Sequence, residues 1–255
     1  MRLFDTHAHL LDERFDADRA AVLSAIRQSE VEYVVEIGCD REGFSSVQAL
    51  CRANNFIYGA LGVHPHNADE MNPSVMDELA RALDSERIVA VGEIGLDYHY
   101  DFSPRETQKN CFSIQLELAA QKKLPVVIHD REAHGDTLDI LRAHRDGLGG
   151  IMHCFSGSYE TARDCIDLGL YIAFGGALTF QNANRLRETA ARLPLDRLLI
   201  ETDCPYMTPV PFRGKRNDPT LMHLTLKTLA ETLKIDEERL AETLFENSLR
   251  AFNLR

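Results

Sequence analysis

The stretch Phe4-Asp5-Thr6-His7-Ala8-His9 opens the chain with an apolar, strand-like run that ends in H-x-H. Side chains alternate along a strand, so this spacing predicts His7 and His9 on one face, with Asp5 beside them. Two imidazoles on one side of a strand end are a ready ligand pair for a borderline metal ion. An ordinary strand with polar ends has the same spacing, so the weight rests on what later strands carry. The same position separates two α/β architectures. A doubly wound sheet would place a glycine-rich phosphate-binding turn after its first strand, and H-x-H stands there instead.

Outward from this stretch the chain alternates between strands and helices. Short, nearly continuous apolar runs at 33–38, 57–63, 88–93, 125–129, 150–153, 171–175 and 198–203 read as strands covered on both faces. Helical spacing of apolar residues fills 16–29, 44–53, 73–83, 104–121, 136–144, 159–168 and 182–193, with two more segments at 221–233 and 237–247. Eight strands alternating with helices in 255 residues predict a single (β/α)8 TIM barrel over residues 1–255, with the doubly wound sheet as runner-up.

Composition narrows the class. Hydrophobic residues make up 44% of the chain, enough for a substantial core. No apolar run approaches the ~20 residues that span a bilayer. The opening Met1-Arg2-Leu3-Phe4-Asp5 turns acidic too soon for a secretory signal. The expectation is a cytoplasmic protein without a membrane partner, a monomer or weak oligomer. The six cysteines form no C-x-x-C pair, which argues against a zinc ribbon or a thioredoxin-type site. A net charge of −12 opposes broad coating of nucleic acid. It leaves room for an enzyme that cuts phosphodiesters, because bound cations reverse the sign locally.

The strand ends carry the chemistry. His7 and His9 end the first strand, Glu93 the fourth, His129 the fifth, His153 the sixth and Asp203 the eighth. In a (β/α)8 barrel these ends converge on one face, where such folds keep their active sites. Ionisable groups gathered in one mouth are costly unless paired or metal-bound. Four histidines and two carboxylates suit two divalent metals that share one carboxylate.

Five segments together resemble the TatD family of metal-dependent hydrolases. They are Phe4–His9, Gly92-Glu93-Ile94-Gly95-Leu96-Asp97-Tyr98, Pro125-Val126-Val127-Ile128-His129, His153-Cys154-Phe155-Ser156-Gly157 and Glu201-Thr202-Asp203-Cys204-Pro205-Tyr206. The resemblance runs on to Arg213-Gly214-Lys215-Arg216-Asn217-Asp218-Pro219, nearly the whole chain. It implies a TIM-barrel deoxyribonuclease within the amidohydrolase superfamily. It also implies that His7, His9 and Asp203 hold one metal and His129 and His153 the other, with Glu93 bridging. Leu11 before Asp12, Gly135 before Asp136, and Cys204 depart from the family's usual residues, and none is an expected ligand.

Asp203 is the candidate general base, since from the last strand it reaches both metal and water. Glu201, on the same strand face, either orients a ligand histidine or is a buried polar group. His64, at the end of the third strand, either contacts substrate or is a solvated loop residue; His66 and His99 read as solvated. Arg213, Lys215 and Arg216 form a basic cluster that either grips a phosphate or faces solvent, and Arg131 is a similar candidate. Phe155 and Tyr206 either stack on a base or pack under loops. The leading expectation is a phosphodiesterase that trims single-stranded DNA ends with two divalent ions (Zn²⁺, Mg²⁺ or Mn²⁺). The alternatives are an amidohydrolase or esterase acting on a small C–N or C–O substrate, and a metal-binding protein without turnover.

Overall fold

The strands form because their residues lose water on both sides. All ten residues of the fourth strand and all six of the first are buried. The computed structural model describes residues 1–254; Arg255, the last residue of the expected barrel span, lies outside them. Along the chain run β1 (Leu3–Ala8), α1 (Arg19–Gln28), β2 (Val31–Gly38), α2 (Arg41–Ala53), β3 (Ile57–Leu61), α3 (Pro73–Ala82), β4 (Ile88–Asp97) and α4 (Arg105–Lys122). Then come β5 (Val126–Arg131), α5 (His134–Ala143), β6 (Gly150–Met152), α6 (Tyr159–Asp167), β7 (Leu170–Phe174), α7 (Asn184–Arg192) and β8 (Leu198–Ile200). The helices α8 (Met222–Leu233) and α9 (Glu237–Ala251) follow.

Every strand pairs in parallel with the next, giving one sheet in the order β1 to β8. The ring closes beyond the end of β8. Asp203 N donates to His7 O at 2.9 Å, and His9 N donates to Cys204 O at 2.9 Å. This is the (β/α)8 barrel that the strand–helix alternation predicts. Among the described residues no helix is long and apolar enough to cross a membrane.

Alternation along the strands sorts side chains into two layers. Val126 and Ile128 of β5 pack outward with the helices, while Val127 points to the barrel interior. The interior closes at one end on α9, where Phe4 meets Phe245 and Phe252 at ring distances of 6.1 and 5.7 Å. The helices start where the sequence offers caps. Asp40 accepts from Gly43 N, Asn72 from Ser74 N and Val75 N just before Pro73, and Ser158 from Thr161 N.

Two departures from regular pairing bear on the site. Asp5 pairs with Val34 but Ala8 with Glu36, so β1 carries one residue more than β2 over this span. Gly92 pairs with Val127 but Ile94 with Ile128, so β4 carries an extra residue at Glu93. Such bulges re-aim side chains, often next to active sites. The first one corrects the expectation that Asp5 faces the same way as His7. Its carboxylate instead accepts from Thr202 N and Thr202 Oγ1, and from His7 N at 3.3 Å. β4 also runs on to Asp97, past the expected end, while β8 stops at Ile200 because the next residues bond across to β1.

Candidate metal centre

At the C-terminal ends of the strands a cleft of about 890 Å³ is lined by His9, His64, Glu93, His129, His153 and Asp203, among others. His7 is wholly buried at its base. All six expected ligands meet here. His7 Nε2 lies 3.1 Å from His9 Nε2 and 3.4 Å from Glu93 Oε2. Asp203 Oδ1 is 3.5 Å from His9 Nε2 and 3.9 Å from His7 Nε2. On the other side Glu93 Oε1 lies 2.7 Å from His129 Nδ1 and 3.4 Å from His153 Nε2. The rings of His7 and His153 stack at 3.5 Å. Glu93 thus turns one oxygen to each of two histidine groups.

This donor set fits divalent cations. The ligand atoms of His7, His9 and Glu93 lie within 4.8 Å of one another, as do those of His7, His153 and Asp203. Two imidazole nitrogens 3.1 Å apart, with carboxylates alongside, are resolved most simply by a cation accepted by both. Asp203 has φ +54°, a left-handed conformation that costs a non-glycine residue free energy. Such strain persists where surroundings enforce it, and it clusters at functional sites.

Two of the histidines, His129 and His153, are held from behind. Asp97 Oδ2 lies 3.0 Å from His129 Nε2 and 3.0 Å from His66 Nε2. Burial works against the imidazolium of His129, but Asp97 and Glu93, one on each nitrogen, raise it to about 9. Glu201, fully buried, places Oε1 2.9 Å from His153 Nδ1 and accepts from Cys154 N. His153 is likewise raised to about 9, burial opposing and the charges of Glu201 and Glu93 prevailing. The opposite holds for Glu93: burial alone would raise it, but the charge of His153 and the bond to His129 keep its carboxyl well below the usual range.

His64 is buried rather than solvated, at 9% exposure. Its Nδ1 accepts from His66 N at 3.1 Å, so the neutral ring carries its proton on Nε2. Nε2 stands 3.7 Å from Glu93 Oε1. Burial holds the ring well below the ordinary histidine range, hence neutral. A protonated Nε2 is a donor toward the cleft, while the ligand atoms of His64, Glu93 and His129 also lie within 4.8 Å of one another.

The other candidate residues fall in different places. His66 is not solvated but half-buried on Asp97. Phe155 is buried against Phe174 and offers no face to a ligand. The basic cluster does not line the cleft. Arg213 lies over Phe180 at 3.6 Å, Lys215 over Phe212 at 5.5 Å, and Arg216 pairs with Asp18 at 2.7 Å. Arg131 and Tyr206 do line it. Asp97 escaped the sequence reading, although period-two alternation from Glu93 through Gly95 pointed to it.

The family model described as TatD related DNase matches residues 4–253. The chain is 42% identical to an uncharacterized metal-dependent hydrolase, YabD, of Bacillus subtilis, over 99% of each chain. It is 31% identical to a protein of Pectobacterium carotovorum named 3'-5' ssDNA/RNA exonuclease TatD, over 99% of this chain and 100% of the other. A solved TatD homologue of Escherichia coli, YjjV, superposes with a TM-score of 0.94 at 34% identity, covering 100% of this chain and 99% of the other.

Proposed function

The chain belongs to the TatD-related DNase family of metal-dependent hydrolases, and on that premise we propose that it is a phosphodiesterase that shortens single-stranded DNA from its ends. The observation that carries this reading is Glu93, whose two oxygens face two separate histidine groups, an arrangement suited to a pair of cations. In this reading His7, His9 and Asp203 would hold one ion and His129 and His153 the other, with Glu93 available to both. The exonuclease name of the Pectobacterium relative supports the choice of substrate.

Two divalent cations, when bound, supply Lewis acidity to the phosphoryl group and make water a stronger acid. The chain's own residues do the rest. Asp203 accepts the proton of the attacking water. Burial works against its charge, but His9, His153 and His7 keep it ionised. His64 donates Nε2–H to a phosphate oxygen. Asp97 and Glu201 hold the rings of His129 and His153 in place, so that little reorganisation is needed during reaction.

The test is incubation of end-labelled single-stranded DNA with Mg²⁺, Mn²⁺ or Zn²⁺, beside a panel of small esters and amides. The expected result is stepwise shortening of the DNA, with kcat lowered about a hundredfold or more in Asp203→Asn at saturating metal. Turnover confined to the small-molecule panel replaces DNA by a small C–N or C–O substrate. Tight metal binding without turnover on either leaves a metal-holding protein.

A further inference from the structure

The candidate centre accounts for the histidines and carboxylates of the cleft but not for the aromatic rings on its rim. Phe102 is 66% exposed and Tyr100 48%, the highest values for large apolar side chains among the described residues. Their rings stack at 5.2 Å with an interplanar angle of 21°. His66 meets both edge-on, at 5.4 Å from Tyr100 and 4.8 Å from Phe102. The Arg131 guanidinium lies over Tyr100 at 4.7 Å. Tyr100 and Arg131 line the same cleft as the metal ligands.

The loop that carries these rings is fastened at both ends. Asp97 Oδ1 accepts from His99 N at 3.0 Å and Tyr100 N at 2.8 Å. Beyond the rings, Ser103 Oγ donates to His66 O at 3.1 Å, and Gln108 Nε2 donates to Ser103 O at 2.8 Å. Ser103 and Gln108 are buried, so the rings are presented by a fixed frame. The other oxygen of Asp97 touches His129, so one carboxylate sets both the rim and the centre. Two stacked rings exposed together at the rim of a cleft form a contiguous apolar patch of the kind that marks a binding surface.

We propose that Phe102, backed by Tyr100, is a stacking platform for an unpaired nucleobase of the strand whose phosphodiester lies at the metal centre. This rests on the nuclease reading and deepens it. A base carries a π-face a short distance from its phosphate, and aromatic side chains bind that face whatever the base. Within a duplex both faces of each base are covered by its neighbours, so the platform selects unpaired ends. Arg131, against the inner ring, adds a positive charge on the phosphate side.

The experiment compares dye-labelled oligothymidylate with an abasic strand of equal length, by fluorescence anisotropy with the protein in chelator. Strand cleavage is then assayed with metal. The expected result is binding of the base-bearing strand about tenfold tighter than the abasic one. Phe102→Leu and Tyr100→Leu should each remove most of that preference and raise KM for the base-bearing strand more than they lower kcat. Equal binding of both strands by the unaltered protein, with cleavage intact, overturns the platform alone. So does a preference that survives in both variants. Failure to bind or cut either strand overturns the platform together with the nuclease reading.

Discussion

At the scale of single residues, the proton inventory of the site makes its first testable claim. His129 and His153 are raised to about 9 in the metal-free protein, so both are protonated at neutral pH. A cation binds only the neutral ring, so loading must expel protons, and affinity must rise with pH until these histidines have lost them. Calorimetric titration of the ion near pH 7 in two buffers of different ionisation enthalpy should therefore give different apparent heats. Identical heats contradict the raised histidines. Asp97 carries the second claim. Its carboxylate bonds His129 and His66, and it is held below the ordinary range because those bonds outweigh the effect of burial. Asp97→Asn should weaken metal affinity by roughly ten- to a hundredfold, with little change in thermal midpoint of the metal-free protein. An unchanged affinity removes Asp97 from the site.

At the scale of elements, β4 and β5 meet so closely that one position tolerates only glycine. Gly95 has φ +143°, and a Cβ there would stand 1.9 Å from His129 O. Gly95→Ala should cost about 1–3 kcal/mol in denaturant unfolding and displace His129, lowering metal affinity as well. Loss of stability with normal affinity means that β5 yields without moving its histidine. This contact also shows where sequence reading stops. The strands were legible because residues buried on both faces must be apolar throughout, and the meeting of the candidate ligands was legible because barrel topology gathers strand ends. The bulges at Asp5 and Glu93 were not, since register belongs to two strands and neither one alone shows the extra residue. Strict alternation therefore misplaced Asp5. His64 stayed ambiguous and His66 was misread as solvated because their surroundings come from β4, β5 and the loop at Tyr100. For Arg213, Lys215 and Arg216 a phosphate grip and a solvent-facing turn both stayed open because clustering in sequence does not show which way a loop turns.

At the scale of the whole molecule, the two ends of the barrel do different work. The candidate ligands crowd the C-terminal strand ends, while at the opposite end Phe245 of α9 and Phe252 just after it close the interior beneath Phe4. Phe252→Ala should lower unfolding free energy by about 3–5 kcal/mol while leaving metal affinity in the folded protein unaltered. A parallel loss of affinity would mean that the floor and the mouth are coupled. The seam of the cylinder has a different consequence. The bonds from Asp203 and Thr202 to the His7 and Asp5 segment bring residues from opposite termini of the polypeptide to one place. A cation held by His7, His9 and Asp203 would therefore act as a buckle: whatever fastened it there would also lock the first turn of the cylinder to the last, and prising the wall open would first have to evict the ion.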